Sequence, residues 1–399
     1  MNKIKNYSDH PIRRWFIYQS INRPVRSIVV SLFATIVMAS GLTFLVIDDD
    51  MMKMLPQNLE SRKAWDSLQD EFGSTEVIFV AFGEKDHSIY HPDALRALWD
   101  VSMELEGLPE VEEVTSITTA TRMDNDEGDL LIQDLQSDRV LNGIEIAGIR
   151  DYLNKYPNVK KRFISQKEDY LILLVQPYDD VALDQFRNEL VGVADSILTN
   201  YEIYYGGFAY ITGTIPELIR NDVQSLMKMG ILIMVTILLL NLRSIPGVLM
   251  VLMVIGLSLV SMMGFMGWVY KLTGSDRFLF TMMNTSMPII LLTIANSDGV
   301  HVMAKFFKEM RLKGDVPQAL ATTMDSLLVP IFLTSITTVA AFLTMISSPL
   351  EPMIGYGITV SAGIIWAWFL SSVLLPAVIS IKKWNLESKA IKEMSLFEK

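Results

Sequence analysis

Six stretches of this chain are apolar enough and long enough to cross a lipid bilayer, and nothing else in it limits the fold as severely. A helix needs ~20 largely apolar residues to span a hydrocarbon core of ~30 Å. The stretches are Ser27–Ile47, Ser225–Leu242, Ile245–Tyr270, Phe278–Met303, Leu327–Ile346 and Met353–Ile381. Reading the first as a cleavable leader fits poorly. Its basic lead of 26 residues is long, its apolar run exceeds the ~7–15 residues of a leader, and no small-x-small site precedes Asp48.

Charge is segregated in the same pattern. Residues 48–224 hold 35 of the 45 acidic residues but 15 of the 34 basic ones, a net −20 against +9 for the remainder. A strongly acidic soluble segment inside a basic, hydrophobic chain describes a membrane protein with one large extramembrane domain. The basic residues then set orientation, because lysine and arginine collect on the cytoplasmic side. Lys3, Lys5, Arg13, Arg14, Arg23 and Arg26 precede the first span, and Arg243 lies between the second and third. Lys305, Lys308, Arg311 and Lys313 follow the fourth, and Lys382 and Lys383 follow the sixth. If the spans alternate, all fall on one side. The expectation is a multi-pass inner-membrane protein with both termini in the cytoplasm. Residues 1–26 form a cytoplasmic segment, 27–47 the first helix, 48–224 an extracytoplasmic domain, 225–381 helices two to six, and 382–399 a cytoplasmic tail.

Within 48–224 the pattern alternates between strand and helix. Glu76–Phe82 is a short β-branched and aromatic run; a helical pattern through Leu95, Leu98, Val101, Met103 and Leu105 closes at Gly107; Val111–Ile117 reads as a second strand. Asp169–Gln176 is a further strand, Leu183–Leu198 an amphipathic helix and Ile203–Tyr205 a last strand before Gly206-Gly207. Two strand–helix–strand units in succession predict a ferredoxin-like α+β fold. Met123–Asp138, acidic and interrupted by glycine, reads as a mobile loop, and His87 and His91 as loop residues. A helix beginning near Thr214 meets no breaker but Gly230 before the second span, so it is predicted to run from the extramembrane domain into the membrane.

One group is out of place in hydrocarbon. Asp298 is the acid well inside a span, whereas Asp325 and Glu351, like Lys228, sit at span ends. A carboxylate at depth costs several kcal/mol unless it is paired, protonated or facing water, and such residues lie on ion or proton pathways. Asn296, Ser297 and His301 surround it, His301 at i+3 on roughly the same helix face. Asp298 lies seven residues before Lys305, about 10 Å by helical rise. Counting from Asp325, the same depth on the fifth span falls near Thr334 and Ser335, within Thr334-Ser335-Ile336-Thr337-Thr338, four hydroxyls in five residues. Asp298 is the candidate ion relay, with His301, Asn296, Thr334, Ser335 and Thr338 in support. The plainer alternatives stay open: an interhelical hydrogen bond for Asp298, a boundary residue for His301, and hydroxyls bonding back to their own carbonyls.

The chain has no cysteine, and no phosphate loop, nucleophile elbow or zinc motif. An enzyme reading, a metal site, a bound cofactor and a nucleic-acid partner therefore find no support. The methionines read as fillers of apolar space.

Ala295–Met303 (ANSDGVHVM), Glu309, Pro330–Thr338 (PIFLTSITT) and Phe342-Leu343 together resemble the fourth and fifth helices of RND superfamily exporters. The likeness is to the branch labelled MMPL, or predicted hydrophobe exporters. Leu242-Arg243-Ser244, Leu55-Pro56 and Phe72-Gly73 are similar to that branch too, and the second to sixth spans match the layout of a sterol-sensing domain. The resemblance implies a membrane α-helical fold of six helices with an external ferredoxin-like porter domain. It also implies proton-driven export of lipids or other hydrophobic or amphiphilic cargo, Asp298 taking the place of the fourth-helix aspartate. Two departures stand out. Such proteins usually carry two of these units in one chain, so the resemblance implies a homodimer or a missing second half, for which the tail Ser395–Lys399 would be the lead. And no membrane lysine or arginine is present to pair with Asp298, which leaves proton and sodium both open as coupling ion. The alternative functions are a non-transporting sterol- or lipid-sensing scaffold and a proton-driven accessory to protein translocation.

Overall fold

The computed structural model describes residues 11–48, 55–56, 58–72, 76–126, 129–178 and 181–392. Lys3, Lys5, Gly73 and the tail segment Ser395–Lys399 lie outside these residues. Contacts divide the chain into a helical unit, residues 1–56 and 219–399, and a sheet-bearing unit, residues 57–218.

The helical unit opens with α1 (Pro11–Asn22), followed after one residue by α2 (Pro24–Ala39), whose last turn tightens into a 3₁₀ segment over Ser40–Phe44. Proline at the first position of each helix sacrifices no intrahelical hydrogen bond. Helix α1 had no counterpart among the predicted spans.

The sheet-bearing unit begins with α3 (Glu60–Phe72) and continues through β1 (Ile78–Gly83), α4 (Pro92–Glu106) and β2 (Val111–Thr115). His91 is the N-cap of α4, its Nδ1 accepting from the Ala94 amide at 3.3 Å, so it is a helix-starting residue and not a simple loop residue. The segment read as a mobile loop is instead a hairpin of β3 (Thr121–Asp126) and β4 (Asp129–Asp134), registered from Thr121 opposite Asp134 to Asp126 opposite Asp129. Acidic composition hid the strands, because backbone ladder bonds do not depend on side-chain polarity. Next come α5 (Gly143–Lys155), started by a reciprocal cap between Asn142 and Glu145, and α6 (Pro157–Phe163). β5 (Tyr170–Pro177), α7 (Leu183–Ile197) and β6 (Glu202–Gly206) complete the unit.

β1 pairs antiparallel with both β5 and β6, and β2 pairs with β5, giving the order β2-β5-β1-β6. One face is fully buried: Ile78, Val80 and Phe82 of β1 and Leu171, Leu173 and Val175 of β5 alternate inward at period two. Leu95, Leu98, Val101 and Leu105 of α4 and Phe186, Leu190 and Ala194 of α7 cover that face at helical spacing.

α8 (Phe208–Leu242) is a single 35-residue helix, so the segment expected to continue into the second span does so without a break. α9 (Ile245–Thr273), α10 (Met287–Lys313), α11 (Val316–Leu343), α12 (Glu351–Phe369) and α13 (Leu375–Ile381) follow. A π turn over Leu370–Leu374 joins α12 to α13 just before Pro376, which has no amide to donate back along the helix. Among the described residues, six helices are long and apolar enough to cross a membrane: Pro24–Phe44, Phe208–Leu242, Ile245–Thr273, Met282–Lys313, Val316–Ser347 and Glu351–Ile381. Several overrun the predicted apolar stretches because helix continues into the charged ends, to Lys313 on α10 for example, while the first ends at Phe44, short of the predicted Ile47.

Small residues set the packing of α2 on α9. Ser27, Ser31 and Thr35 lie buried at i, i+4, i+8 on α2. A Cβ on Gly41 would stand 2.0 Å from the Gly264 carbonyl oxygen, and one on Gly264 would stand 2.0 Å from that of Met38. Backbones this close gain dispersion contact that lipid cannot outcompete.

Candidate ion-relay site on the fourth and fifth membrane helices

Helix α10 positions the candidate residues. Pro288 lies in its first turn, and Gly314, left-handed at φ 66°, stops it. Gly299 lets α10 lie against α9, since a Cβ there would meet Val251 Cγ1 at 3.0 Å. The preceding residue, Asp298, is 6% exposed and turned into the helix packing.

Ser335 Oγ of α11 donates to Asp298 Oδ2 at 3.3 Å, and Ser335 is itself buried. Pro330, one turn earlier, removes an intrahelical bond from α11 and loosens the helix just before this contact. The neighbouring hydroxyls behave differently. Thr334 Oγ1 donates to the Ile331 carbonyl at 2.9 Å and Thr338 Oγ1 to the Thr334 carbonyl at 2.8 Å, each along its own helix. Of the hydroxyl run, the structure therefore brings Ser335 to Asp298 and turns Thr334 and Thr338 back onto α11.

Asn296 and His301 face elsewhere. With Ser297, Thr293 and Val300 they line a cleft of about 250 Å³, whose opposite wall is Ile237, Leu238 and Asn241 of α8. At 100° per residue, Asn296, Ser297 and His301 span about 140° of α10 and Asp298 lies about 60° beyond His301, outside the cleft lining. Asn241 was not singled out from the sequence, although a lone amide two residues before Arg243, in an otherwise apolar turn, was a readable signal.

The acids near the span ends have cationic partners. Arg277 pairs with Glu351, Arg13 with Asp325 at 3.6 Å, and Glu309 with Lys305 at 3.2 Å and Lys313 at 3.7 Å. Among the described residues, Asp298 is held by a neutral hydroxyl alone. No three histidine, aspartate or glutamate side chains converge as a metal site among the described residues. A buried carboxyl with one adjustable hydroxyl partner can exist charged or neutral without breaking a fixed ion pair, and that is the chemistry available here.

Residues 53–393 match the MMPL family, and the chain belongs to it. It is a multi-pass membrane protein with the layout of a half-length RND-type unit. The chain is also similar to the Methanocaldococcus jannaschii protein named "Putative membrane protein MJ1562", with 25% identity over 386 residues, covering 92% of this chain and 93% of that relative.

Proposed function

We propose that this protein is a secondary active exporter, driven by a proton or sodium gradient, that moves lipids or other hydrophobic or amphiphilic compounds out of the inner membrane. The observation that carries the reading is the burial of Asp298 against Ser335 with no cation among the described residues to fix its charge. Such a group is expensive in hydrocarbon unless it takes up and releases an ion. Asp298 is the carrier, and Ser335 the group that follows its change of charge, donating to the carboxylate and accepting from the carboxylic acid. His301 and Asn296 support the path from the cleft side; Thr334 and Thr338 supply polarity along α11.

The sheet order β2-β5-β1-β6, with α4 and α7 as the crossovers, supports a ferredoxin-like porter domain over 48–224. The positive-inside distribution supports cytoplasmic termini and an extracytoplasmic sheet-bearing unit. The unbroken α8 is the element through which ion binding couples to movement of that unit, and two copies related by two-fold symmetry supply the pair of units that an exporter of this kind needs.

The test is ion flux in proteoliposomes of the full chain, wild type beside Asp298→Asn. A pH gradient is imposed with a panel of lipidic cargo present, internal pH is followed by dye, and a parallel series uses a sodium gradient. Wild-type flux that disappears in the variant is expected. Equal flux in both, or none in either from protein shown to be folded and inserted, overturns the assignment; the second outcome would favour a sensing scaffold.

A further inference from the structure

We infer that the cleft between α8 and α10 is a water site, held open by Asn241 and Asn296, that brings the cytoplasmic aqueous phase to the helix carrying Asp298. The inference rests on the ion-relay reading for its purpose, and on the geometry of the cleft alone for its existence.

The buried amides carry it. Asn241 is 8% exposed, and its Oδ1 is buried with no hydrogen-bond partner among the described residues; the Oδ1 of Asn296 is likewise buried and unpartnered among them. Both residues line one cleft, from opposite helices. The oxygen and nitrogen of an amide are assigned by their surroundings, and either orientation leaves a polar amide atom of each residue in need of a partner in a cleft also lined by Ile237, Leu238 and Val300. In a membrane helix an unsatisfied polar group of this kind is costly, and two sharing one cavity call for a common partner.

The lining narrows what that partner is. Among the described residues no aspartate, glutamate, lysine or arginine lines the cleft, so its lining neither neutralises a cation nor binds an anion. Its polar groups are two amides, the hydroxyls of Ser297 and Thr293, and the His301 ring; Thr293 is already bonded to the Ile289 carbonyl at 2.9 Å. A neutral donor–acceptor set in a polar cavity of about 250 Å³ suits water, at ~30 Å³ per molecule room for several. The cleft also lies at the right end of the helices. Asn241 is two residues before Arg243, and His301 four before Lys305, the cations that mark the cytoplasmic side. Asp298 follows Ser297 directly, ~100° further round α10. Water in the cleft therefore reaches the helix face adjoining Asp298.

The absence of native cysteine makes the test direct. Single cysteines replace Ser297, in the cleft, and Leu333, a 53% exposed apolar residue on α11, in the full chain in oriented membrane vesicles. A membrane-impermeant thiosulfonate is then applied from the cytoplasmic face. Thiolate, the reactive form, needs water, so Ser297→Cys is expected to react at least ~10-fold faster than Leu333→Cys. Adding Asn241→Leu should slow the cleft cysteine towards the control, while Asn241→Ser, small and polar, should restore its rate. Modification of Ser297→Cys no faster than the control, in protein that remains monodisperse, overturns the water site. A fast rate indifferent to Asn241→Leu overturns the role given to the amides. Fast, Asn241-dependent modification in a protein that carries no ion flux would uphold the cleft and count against the exporter.

Discussion

In the sheet-bearing unit Arg139 grips Asp100 through two hydrogen bonds of 2.5 and 2.7 Å, and Lys160 and Arg150 both donate to Glu168. These cations hold both carboxyls below the ordinary range, mainly through the direct hydrogen bond from Arg139 in one case and Lys160 in the other. In the helical unit Asp298 has a serine hydroxyl at 3.3 Å. Packing differs in the same way. Large side chains such as Phe82, Phe186 and Leu98 fill the core of the first unit, where the close backbone approaches at Gly83, Gly207 and Gly213 fall at strand and helix ends. In the second, by contrast, Gly41 and Gly264 bring two membrane helices backbone to backbone. Where water is available, a protein can fix charge with charge and fill space with bulk. In lipid, bulk gains nothing over the solvent, so close approach supplies the cohesion, and an acid left without a cation among the described residues fits the ion-carrier role proposed above.

Reversing the packing rule should give the largest effect. Gly264→Leu puts a side chain where a Cβ would already stand 2.0 Å from the Met38 carbonyl oxygen, a backbone atom that cannot yield without moving α2. A cost above ~3 kcal/mol is expected, read as loss of monodisperse protein on size exclusion and a fall in the detergent melting temperature. A variant that melts within a degree or two of wild type would mean that α2 and α9 are not held by this approach.

Ser335→Ala sharpens the charge half of the comparison. It removes the one donor to Asp298 among the described residues without touching the carboxyl. A hydrogen bond to a charged group is worth ~1.5–3 kcal/mol, so coupled flux should fall about tenfold or more while Asp298→Asn removes it altogether. Thr338→Ala, whose hydroxyl is spent on its own helix, should leave flux within about twofold of wild type, in line with the weak net worth of such bonds. Equal losses from both would show that the hydroxyl run acts as a general polar surface and not through Ser335.

Bulk should be welcome in the other unit. Gly192 lies within α7, and a Cβ there would meet nothing within 4 Å. Gly192→Ala is expected to stabilise α7 by up to ~1 kcal/mol, since glycine is a poor helix residue, measured as slower hydrogen exchange of the α7 amides. Unchanged or faster exchange would mean that this face of α7 has a partner.

The reach of the sequence differed between the units for physical reasons. The spans were plain because hydrocarbon demands a long uniform run, and the depth of Ser335 could be counted because a helix rises by a fixed 1.5 Å per residue. Which face a residue takes is another matter. Asp298 and His301, three residues apart, point to different neighbours because the flanking helices, and not spacing alone, decide what each side of α10 meets. In the sheet-bearing unit β1, β5 and α4 announced themselves through period-two and helical burial. The β3–β4 hairpin and α5 did not, since the acids of the first and the exposed Ile144 of the second mask periodicity.

The smallest effect expected returns to a fixed ion pair. Glu168 joins β5 to the end of α6, its carboxylate bound by Lys160 and Arg150 and its backbone held left-handed at φ 57°. Because Lys160 first, and Arg150 with it, lower the glutamate's folded pKa below the ordinary value of 4.5, the pair contributes stability that is complete above that ordinary value. The contribution is lost as pH falls through the lowered folded value, where the carboxylate takes a proton in folded and unfolded chain alike. Glu168→Gln keeps the shape and the backbone turn but removes the charge. It should cost ~0.5 kcal/mol at neutral pH, as befits a partly exposed pair, and nothing once the wild-type group is protonated. Hydrogen exchange of the β5 amides, corrected for the intrinsic effect of pH, should therefore separate wild type from variant at pH 7 and bring them together in acid. A difference that persists unchanged into acid would mean that Glu168 acts through shape and not charge, and would remove one of the two ion pairs that set the sheet-bearing unit apart from the site at Asp298.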